Sequence, residues 1–110
     1  PGCADPFSPK AIRASVGAIL SVPVVEVTAH DLVASGLPLL AADAKGSTDD
    51  PPPRGAILIF GSEGNGVSEE VRRAATPIAI ATSQRVESLN VAASAAILLA
   101  RSFAARMRLA

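Results

Sequence analysis

The sequence predicts an α/β fold in which helices cover both faces of a parallel β-sheet. Short apolar runs at 39–42, 56–60 and 77–81 lack the polar–apolar alternation of half-exposed strands. Helical patterns separate these runs, and such alternation along the chain is typical of parallel sheets. With 110 residues and 49% hydrophobic content, the chain can form one core but not two ordinary domains. We therefore expect a single domain.

The first third of the chain predicts two helices separated by a strand. A serine followed by a proline is an N-cap signal, and apolar residues then recur at helical spacing, so we predict a helix over about 9–20. The β-branched run at 23–27 predicts a strand. Thr28 and Asp31 form a capping signal for a brief helix that Gly36 ends.

The remainder of the chain continues the alternation. The apolar run at 39–42 predicts a strand, and the polar, proline-rich segment at 45–53 predicts a solvated loop. The uninterrupted apolar run at 56–60 predicts a fully buried central strand. Ser68 and the two glutamates after it start a helix, because carboxylates stabilise a helix N-terminus. The last two predicted elements are a strand and a long helix, at 77–81 and about 87–108.

Charge and cysteine content limit the class of protein. Ten basic and ten acidic residues cancel, so the chain has no overall positive field to attract nucleic acid. An RNA partner would need a local patch or a partner subunit. Cys3 has neither a disulfide partner nor metal-ligand partners, and no signal-peptide pattern is present. The longest apolar run falls short of the roughly 20 residues of a membrane span. We expect a cytoplasmic protein with no membrane segment and no metal.

A glycine-rich loop follows the predicted strand at 56–60. Gly61, Gly64 and Gly66 would let the backbone turn tightly and approach a ligand, although a turn that only reverses the chain explains them equally well. The spacing matches neither of the familiar glycine-rich phosphate loops. Glu63 would repel a phosphate and suits a cationic or hydroxyl-bearing partner.

A second polar segment opens the last helix. Ser88 and Asn90 lie in its first turn, where capping is their simplest role. A helix that is apolar nearly all round is expected to be buried on most sides, and small residues allow neighbours to approach closely. Dimerisation through this helix is predicted from its alanines, Ala92, Ala95, Ala96 and Ala100.

The two segments carry a specific resemblance. Gly-Ser-Glu-Gly-Asn-Gly-Val-Ser at 61–68 and Glu-Ser-Leu-Asn-Val-Ala at 87–92 resemble, in this order, the second and third motifs of the SpoU (TrmH-type) RNA ribose methyltransferases of the SPOUT class. The opening at 3–15 is similar as well. The resemblance implies a parallel sheet with a C-terminal trefoil knot, an exception to the rule that chains do not thread their own loops. It also implies S-adenosylmethionine held in the knot, mainly by backbone groups.

The resemblance assigns roles to individual residues. The implied reaction is methyl transfer to a ribose 2′-hydroxyl of ribosomal or transfer RNA, in which the protein orients the reactants. The positions expected to bind the cofactor are Gly61, Gly66, Ile80 and Leu89. The positions expected near the reaction centre, and hence catalytic, are Glu63, Ser88 and Asn90.

Two departures from the family pattern matter. The sequence Ile-Ala-Thr at 80–82 stands where Ile-Pro-Met is usual, and Gln84 where glycine is common, so the cofactor loop is expected to differ in shape. The first family motif, with an arginine that acts on the ribose hydroxyl, would lie upstream of Pro1. We therefore expect the C-terminal portion of a catalytic domain, inactive by itself. Arg13 stands in the wrong local sequence to replace that arginine and is expected to be a surface or RNA-contacting residue.

Two alternatives stay open: a non-catalytic knotted module for dimerisation or cofactor binding, and another doubly wound nucleotide-binding domain whose loops match by chance.

Other polar residues offer weaker signals. His30 precedes Asp31 in a first helical turn, which favours a solvated capping role over acid–base catalysis. The three arginines that end the last helix complement its dipole, and RNA contact is secondary for them; they are Arg101, Arg106 and Arg108.

Overall fold

Among the described residues, three parallel strands form the sheet, in the order β2–β1–β3. The computed structural model describes residues 2–48, 50–62, 64–83 and 90–109. The strands are β1 (Leu39–Ser47), β2 (Ile57–Ile59) and β3 (Thr76–Ile78). Ala41 of β1 pairs with Ile59 on one side and with Pro77 on the other. The carboxyl ends of all three strands therefore lie along one edge of the sheet.

Four helices accompany the sheet in the part of the chain that the structure describes. They are α1 (Pro9–Ala14), α2 (Ala29–Ala34), α3 (Glu69–Ala74) and α4 (Val91–Leu109), and a short 3₁₀ turn covers Ala18–Leu20. Within the described ranges, none of these helices has the combined length and hydropathy needed to cross a bilayer.

The core lies between the sheet and α4. Leu40 of β1, Ile78 of β3 and Leu98 of α4 form its buried cluster, and Leu98 is 1% exposed. Successive strand residues point to opposite faces of a sheet. Because Leu39 and Ala41 are buried as well as Leu40, both faces of the first half of β1 are covered. The predicted parallel sheet of an α/β fold is confirmed.

The prediction of a fully buried central strand at 56–60 is wrong. β2 is an edge strand of the sheet and its three residues are half-buried, whereas β1 is central. β1 also continues to Ser47, through part of the segment predicted to be a loop. Ala42 and Ser47 both pair with Ile78, so the residues between them form a bulge. Gly46 permits this close return, because a Cβ there would lie 2.6 Å from the amide nitrogen of Ile78.

The strand predicted at 23–27 is also wrong. This segment belongs to no strand, and Val24, Val25 and Val27 are between 42% and 77% exposed. β-branched residues favour extended backbone, but a strand also requires a neighbour that buries one of its faces. The valines have the right local preference without that neighbour.

The first helix is shorter than predicted. α1 ends at Ala14, and the amide of Gly17 donates to the carbonyl of Ile12 while the amide of Val16 donates to that of Arg13. These two bonds are those of a Schellman motif, which ends a helix with a left-handed residue. Val16 takes that conformation, with φ of 54°. The helical spacing of apolar residues continues past this point, but the helix does not.

The short helix with the predicted capping signal is confirmed. The Thr28 hydroxyl accepts from the amide of Asp31 at 3.1 Å, and the Asp31 carboxylate accepts from the amide of Thr28 at 2.8 Å. That backbone bond, helped by the Thr28 hydroxyl, lowers the pKa of Asp31. The reciprocal pair therefore anchors the start of α2.

Candidate functional site

A cavity of about 700 Å³ opens at the carboxyl edge of the sheet. Its walls come from residues 41–44 of β1, from the loops after β2 and β3, from Arg72 of α3 and from the first turns of α4. Ligands of open α/β folds bind outside the carboxyl ends of the strands. The volume lies within the range of small-molecule sites. This cavity is therefore the candidate site.

The glycine loop forms one wall. The amide of Gly66 donates to the carbonyl of Ser62 at 3.0 Å, and the amide of Asn65 donates to the Ser62 hydroxyl at 3.1 Å, so the chain reverses tightly. Gly61 lies directly against the returning backbone, since a Cβ there would be 2.6 Å from the amide nitrogen of Val67. Gly66 has φ of +66°, which glycine adopts at little cost. The loop is a turn that reverses the chain and also lines the cavity.

The segment after β3 forms the facing wall. Ile80 is half-buried, packs against the core cluster and lines the cavity. Residues 81–83 continue the wall. The structure thus brings together three of the four predicted cofactor positions, Gly61, Gly66 and Ile80. The fourth, Leu89, lies outside the described residues, as do Glu63, Ser88 and the departure at Gln84.

Asn90 caps the last helix. Its side-chain oxygen accepts from the amides of Ala92 and Ala93, at 2.9 and 3.3 Å. Asn90 is exposed and is not part of the cavity wall, although Val91 beside it is. With its oxygen engaged in the cap, the amide nitrogen is the group of Asn90 that could donate to a substrate. The predicted capping role is confirmed, and the catalytic role stays a prediction.

Sequence reasoning missed two charged residues of the cavity wall. Asp43 and Arg72 are the charged side chains lining it within the described part of the chain. In the sequence, Asp43 directly follows the apolar run at 39–42. A carboxylate at the carboxyl end of a predicted strand is a signal that could have identified it. Arg72 comes from the last turn of α3, and its Nη2 donates to the carbonyl of Val67 at 3.4 Å. No sequence motif marks Arg72, although the loop that it meets lies only five residues upstream.

The other polar candidates lie away from the cavity. The His30 imidazole is 83% exposed, with Nδ1 3.8 Å from the Glu70 carboxylate on α3, so it contacts a neighbouring helix rather than only solvent. Arg13 and Cys3 are exposed. Among the described residues, no group of three or more potential metal ligands occurs.

The helix-ending arginines have separate roles. Arg101 is half-buried and its Nη2 donates to the carbonyls of Thr48 and Asp50, at 3.1 and 3.2 Å. Arg106 lies over the ring of Phe103, 5.7 Å from its centroid. Arg101 therefore joins α4 to the β1–β2 loop, a contact that reasoning from the helix dipole did not predict.

Comparison with known proteins decides the family. The sequence profile of the SpoU rRNA Methylase family matches residues 1–100. The chain belongs to the SpoU rRNA methylase family. Membership removes the alternative of an unrelated doubly wound domain with chance matches in its loops, and it identifies the chain as part of an RNA methyltransferase family.

Individual relatives resemble the chain over most of its length. An uncharacterized tRNA/rRNA methyltransferase of Synechocystis sp. is 35% identical, and the match covers 88% of this chain and 39% of that protein. A TrmH-family protein from Porphyromonas gingivalis is 38% identical, with a TM-score of 0.75 over 92% of this chain and 45% of that one.

A third relative, a SpoU methyltransferase, was solved with a ligand. The SpoU methyltransferase AviRb from Streptomyces viridochromogenes, in complex with S-adenosylmethionine, is 26% identical. Its TM-score is 0.82 over 96% of this chain and 47% of that one. The chain thus spans less than half the length of each of these three relatives.

Proposed function

We propose that the protein to which this chain belongs transfers a methyl group from S-adenosylmethionine to a ribose 2′-hydroxyl of ribosomal or transfer RNA. The observation that carries the proposal is the cavity at the carboxyl edge of the sheet, where Gly61, Gly66 and Ile80 meet in a SpoU-family chain. S-adenosylmethionine supplies an electrophilic methyl group on a sulfonium. The chain supplies binding, orientation and a site at which the ribose hydroxyl can be held.

The cavity fits this cofactor. Its volume of about 700 Å³ is sufficient for a nucleoside joined to an amino acid. Three of its walls are backbone segments at strand ends, which offer amide and carbonyl groups to an adenine and a ribose. Ile80 and Leu98 give it an apolar floor continuous with the core. The solved AviRb complex supports the same choice of cofactor.

Glu63, Ser88, Leu89 and Asn90 complete the proposed site. Glu63, Ser88 and Asn90 are proposed to surround the ribose hydroxyl, and Leu89 is proposed to contact the cofactor. The position of Val91 and Ser94 in the cavity wall supports the proposal for Asn90, which directly precedes them. A donor that positions a reacting group contributes on the order of 100-fold to a rate.

Methyl transfer by the whole protein tests the proposal. Ribosomal and transfer RNA are incubated with S-adenosylmethionine labelled in its methyl group, and the labelled nucleotide is then isolated. A methyl on the 2′-oxygen protects the adjacent phosphodiester from alkali, so we expect label in alkali-resistant dinucleotides. Label in a base would contradict the ribose assignment. Cofactor binding without transfer to any RNA would favour the non-catalytic module.

Asn90 provides the sharpest variant in that assay. Asn90→Ser retains an oxygen that can cap α4 but removes the amide nitrogen, so we expect near-normal stability and a loss of activity of about 100-fold. Asn65→Ala is the matched control, because the hydrogen bond that Asn65 donates within the turn comes from its backbone amide, which alanine keeps. Full activity of Asn90→Ser would remove Asn90 from the reaction centre.

A homodimer and a trefoil knot also belong to the proposal. The dimer is supported by apolar side chains on the outer face of α4, of which Leu99, Phe103 and Met107 are 58%, 58% and 62% exposed. The knot is proposed from membership of the SpoU family, whose resemblance implied it. A cytoplasmic location stays a prediction from the sequence.

A further inference from the structure

Arg72 brings a positive charge to a cavity whose other charged side chain, among the described residues, is Asp43. Arg72 lines the cavity wall together with Gly66. Its Nη2 lies 3.7 Å from the point that a Cβ of Gly66 would occupy. The guanidinium therefore stands directly beside the glycine at which the loop turns into the cavity.

We infer that Arg72 binds the carboxylate of the amino-acid moiety of the cofactor, and this inference rests on the proposed function. S-adenosylmethionine carries one carboxylate, and a guanidinium is the side chain best matched to it, with five N–H donors in a planar fork. The bond from Nη2 to the carbonyl of Val67 uses one donor and fixes the fork against the loop.

The surroundings of Arg72 favour a single carboxylate over an RNA phosphate. The first turn of α3 carries Glu69 and Glu70, and the other arginine of the helix, Arg73, pairs with Glu69 at 3.2 Å. The net charge of the chain is zero. A polyanion gains affinity from clustered basic residues, and these glutamates oppose its approach to α3. A small anion inside the cavity needs only the one guanidinium group of Arg72.

The placement also orients the ligand within the cavity. Arg72 approaches from the glycine-loop side, whereas Ile80 and Ala81 form the wall after β3. A carboxylate held at the glycine loop leaves the wall after β3 for the nucleoside. Arg72 then selects a cofactor that has an amino-acid end over an adenosine derivative that lacks one.

Calorimetry with two ligands tests the inference in the full protein. S-adenosylmethionine and its decarboxylated analogue differ only in the carboxylate. We expect Arg72→Gln to weaken binding of S-adenosylmethionine by about 10- to 100-fold, as loss of a charged hydrogen-bond pair does. Binding of the decarboxylated analogue should change by less than about 2-fold, because that ligand has nothing for the guanidinium to hold.

Arg73→Gln is the matched control. It removes the same charge from the adjacent position, where the side chain is 80% exposed and pairs with Glu69. Its affinities for both ligands should equal those of the parent protein.

Four results would overturn the inference. An unchanged affinity of Arg72→Gln for S-adenosylmethionine removes the contact, and an equal loss for both ligands makes Arg72 a support of the loop only. A loss confined to RNA binding, with a salt slope reduced by about one, assigns Arg72 to a phosphate instead. If the parent protein binds neither ligand, the proposed function itself fails and the inference falls with it.

Discussion

Two glycines shape the cavity wall by different physical means. Gly61 is required by space, because the backbone of residues 66–67 passes where a side chain would be. Gly66 is required by conformation, because its φ of +66° is costly for residues with a Cβ. Closing the turn therefore requires glycine at both positions, whether or not the loop binds a ligand.

Gly61→Ala should destabilise the protein by about 1–3 kcal/mol, the usual cost of forcing an atom into a packed site. Gly64→Ala is the control, since a Cβ there meets nothing within 4 Å, and its effect should stay within about 0.5 kcal/mol. Urea unfolding of both variants measures the difference. Equal stabilities would show that the loop does not close against Gly61.

Val16 is the clearest case of local strain. It has φ of 54° and is 93% exposed, so a β-branched side chain occupies a left-handed position without packing in return. Val16→Gly should stabilise the protein by about 0.5–1 kcal/mol, after the entropic cost of glycine is subtracted from the strain relieved. Val25→Gly, at an exposed valine without positive φ, should not stabilise it. Thermal unfolding compares the two, and a destabilised Val16→Gly variant would contradict the Schellman geometry.

At the scale of elements, β1 and α4 together determine the shape of the cavity. The bulge in β1 returns to β3 at Ser47, whose carbonyl accepts from the amide of Ala79 at 2.9 Å. Arg101 of α4 then holds the carbonyls of Thr48 and Asp50. Thr48 lines the cavity, so the helix positions a part of the wall that is about 50 residues away along the chain.

Arg101→Ala should release this part of the wall. Losing the two bonds should lower the free energy of unfolding by about 1 kcal/mol and speed amide hydrogen exchange at residues 43–48. Arg108→Ala, at an exposed position in the last turn of the same helix, is the control and should leave exchange unchanged. Slow exchange at 43–48 in Arg101→Ala would show that the bulge holds without the arginine.

The elements that sequence reasoning missed share one cause. The order of strands and helices from residue 28 onward follows from apolar runs and caps, whereas the grouping of Gly61, Gly66 and Ile80 at one edge follows from the resemblance to the SpoU family. The continuation of β1 depends on Gly46 meeting Ile78, and the absence of a strand at 23–27 depends on a missing neighbour. Both features depend on whether distant segments of the chain meet, and local sequence patterns do not report that.

At the scale of the whole molecule, α4 is less buried than its composition predicted. Leu98 is its buried residue, and Ala95 is half-buried on the same side. The opposite face forms an exposed apolar stripe consisting of Ala92, Ala96, Leu99, Ala100, Phe103 and Met107. Continuous apolar surface of this kind on a small protein marks an interaction site. The prediction that the helix is buried on most sides is wrong for the chain by itself, and the stripe supports the proposed homodimer.

Ala96→Arg should convert the proposed dimer to monomers, because Ala96 lies in the middle of the stripe and an arginine there would bury a charge. Ala14→Arg makes the same change at an exposed alanine of α1 and should leave the dimer intact. Sedimentation velocity over a range of concentrations distinguishes the two species. A monomeric parent protein at high concentration would contradict the dimer.

The central claim is that S-adenosylmethionine binds in the cavity at the carboxyl edge of the sheet. The most direct test is a titration of the isotopically labelled protein with S-adenosylmethionine, followed by amide chemical shifts in NMR spectra. We expect saturable shifts at Gly61, Gly66 and Ile80, and unchanged signals at Arg13 and His30 on the remote helices. Saturable shifts confined to the remote helices, or no shifts in a folded protein at millimolar ligand, would contradict the claim.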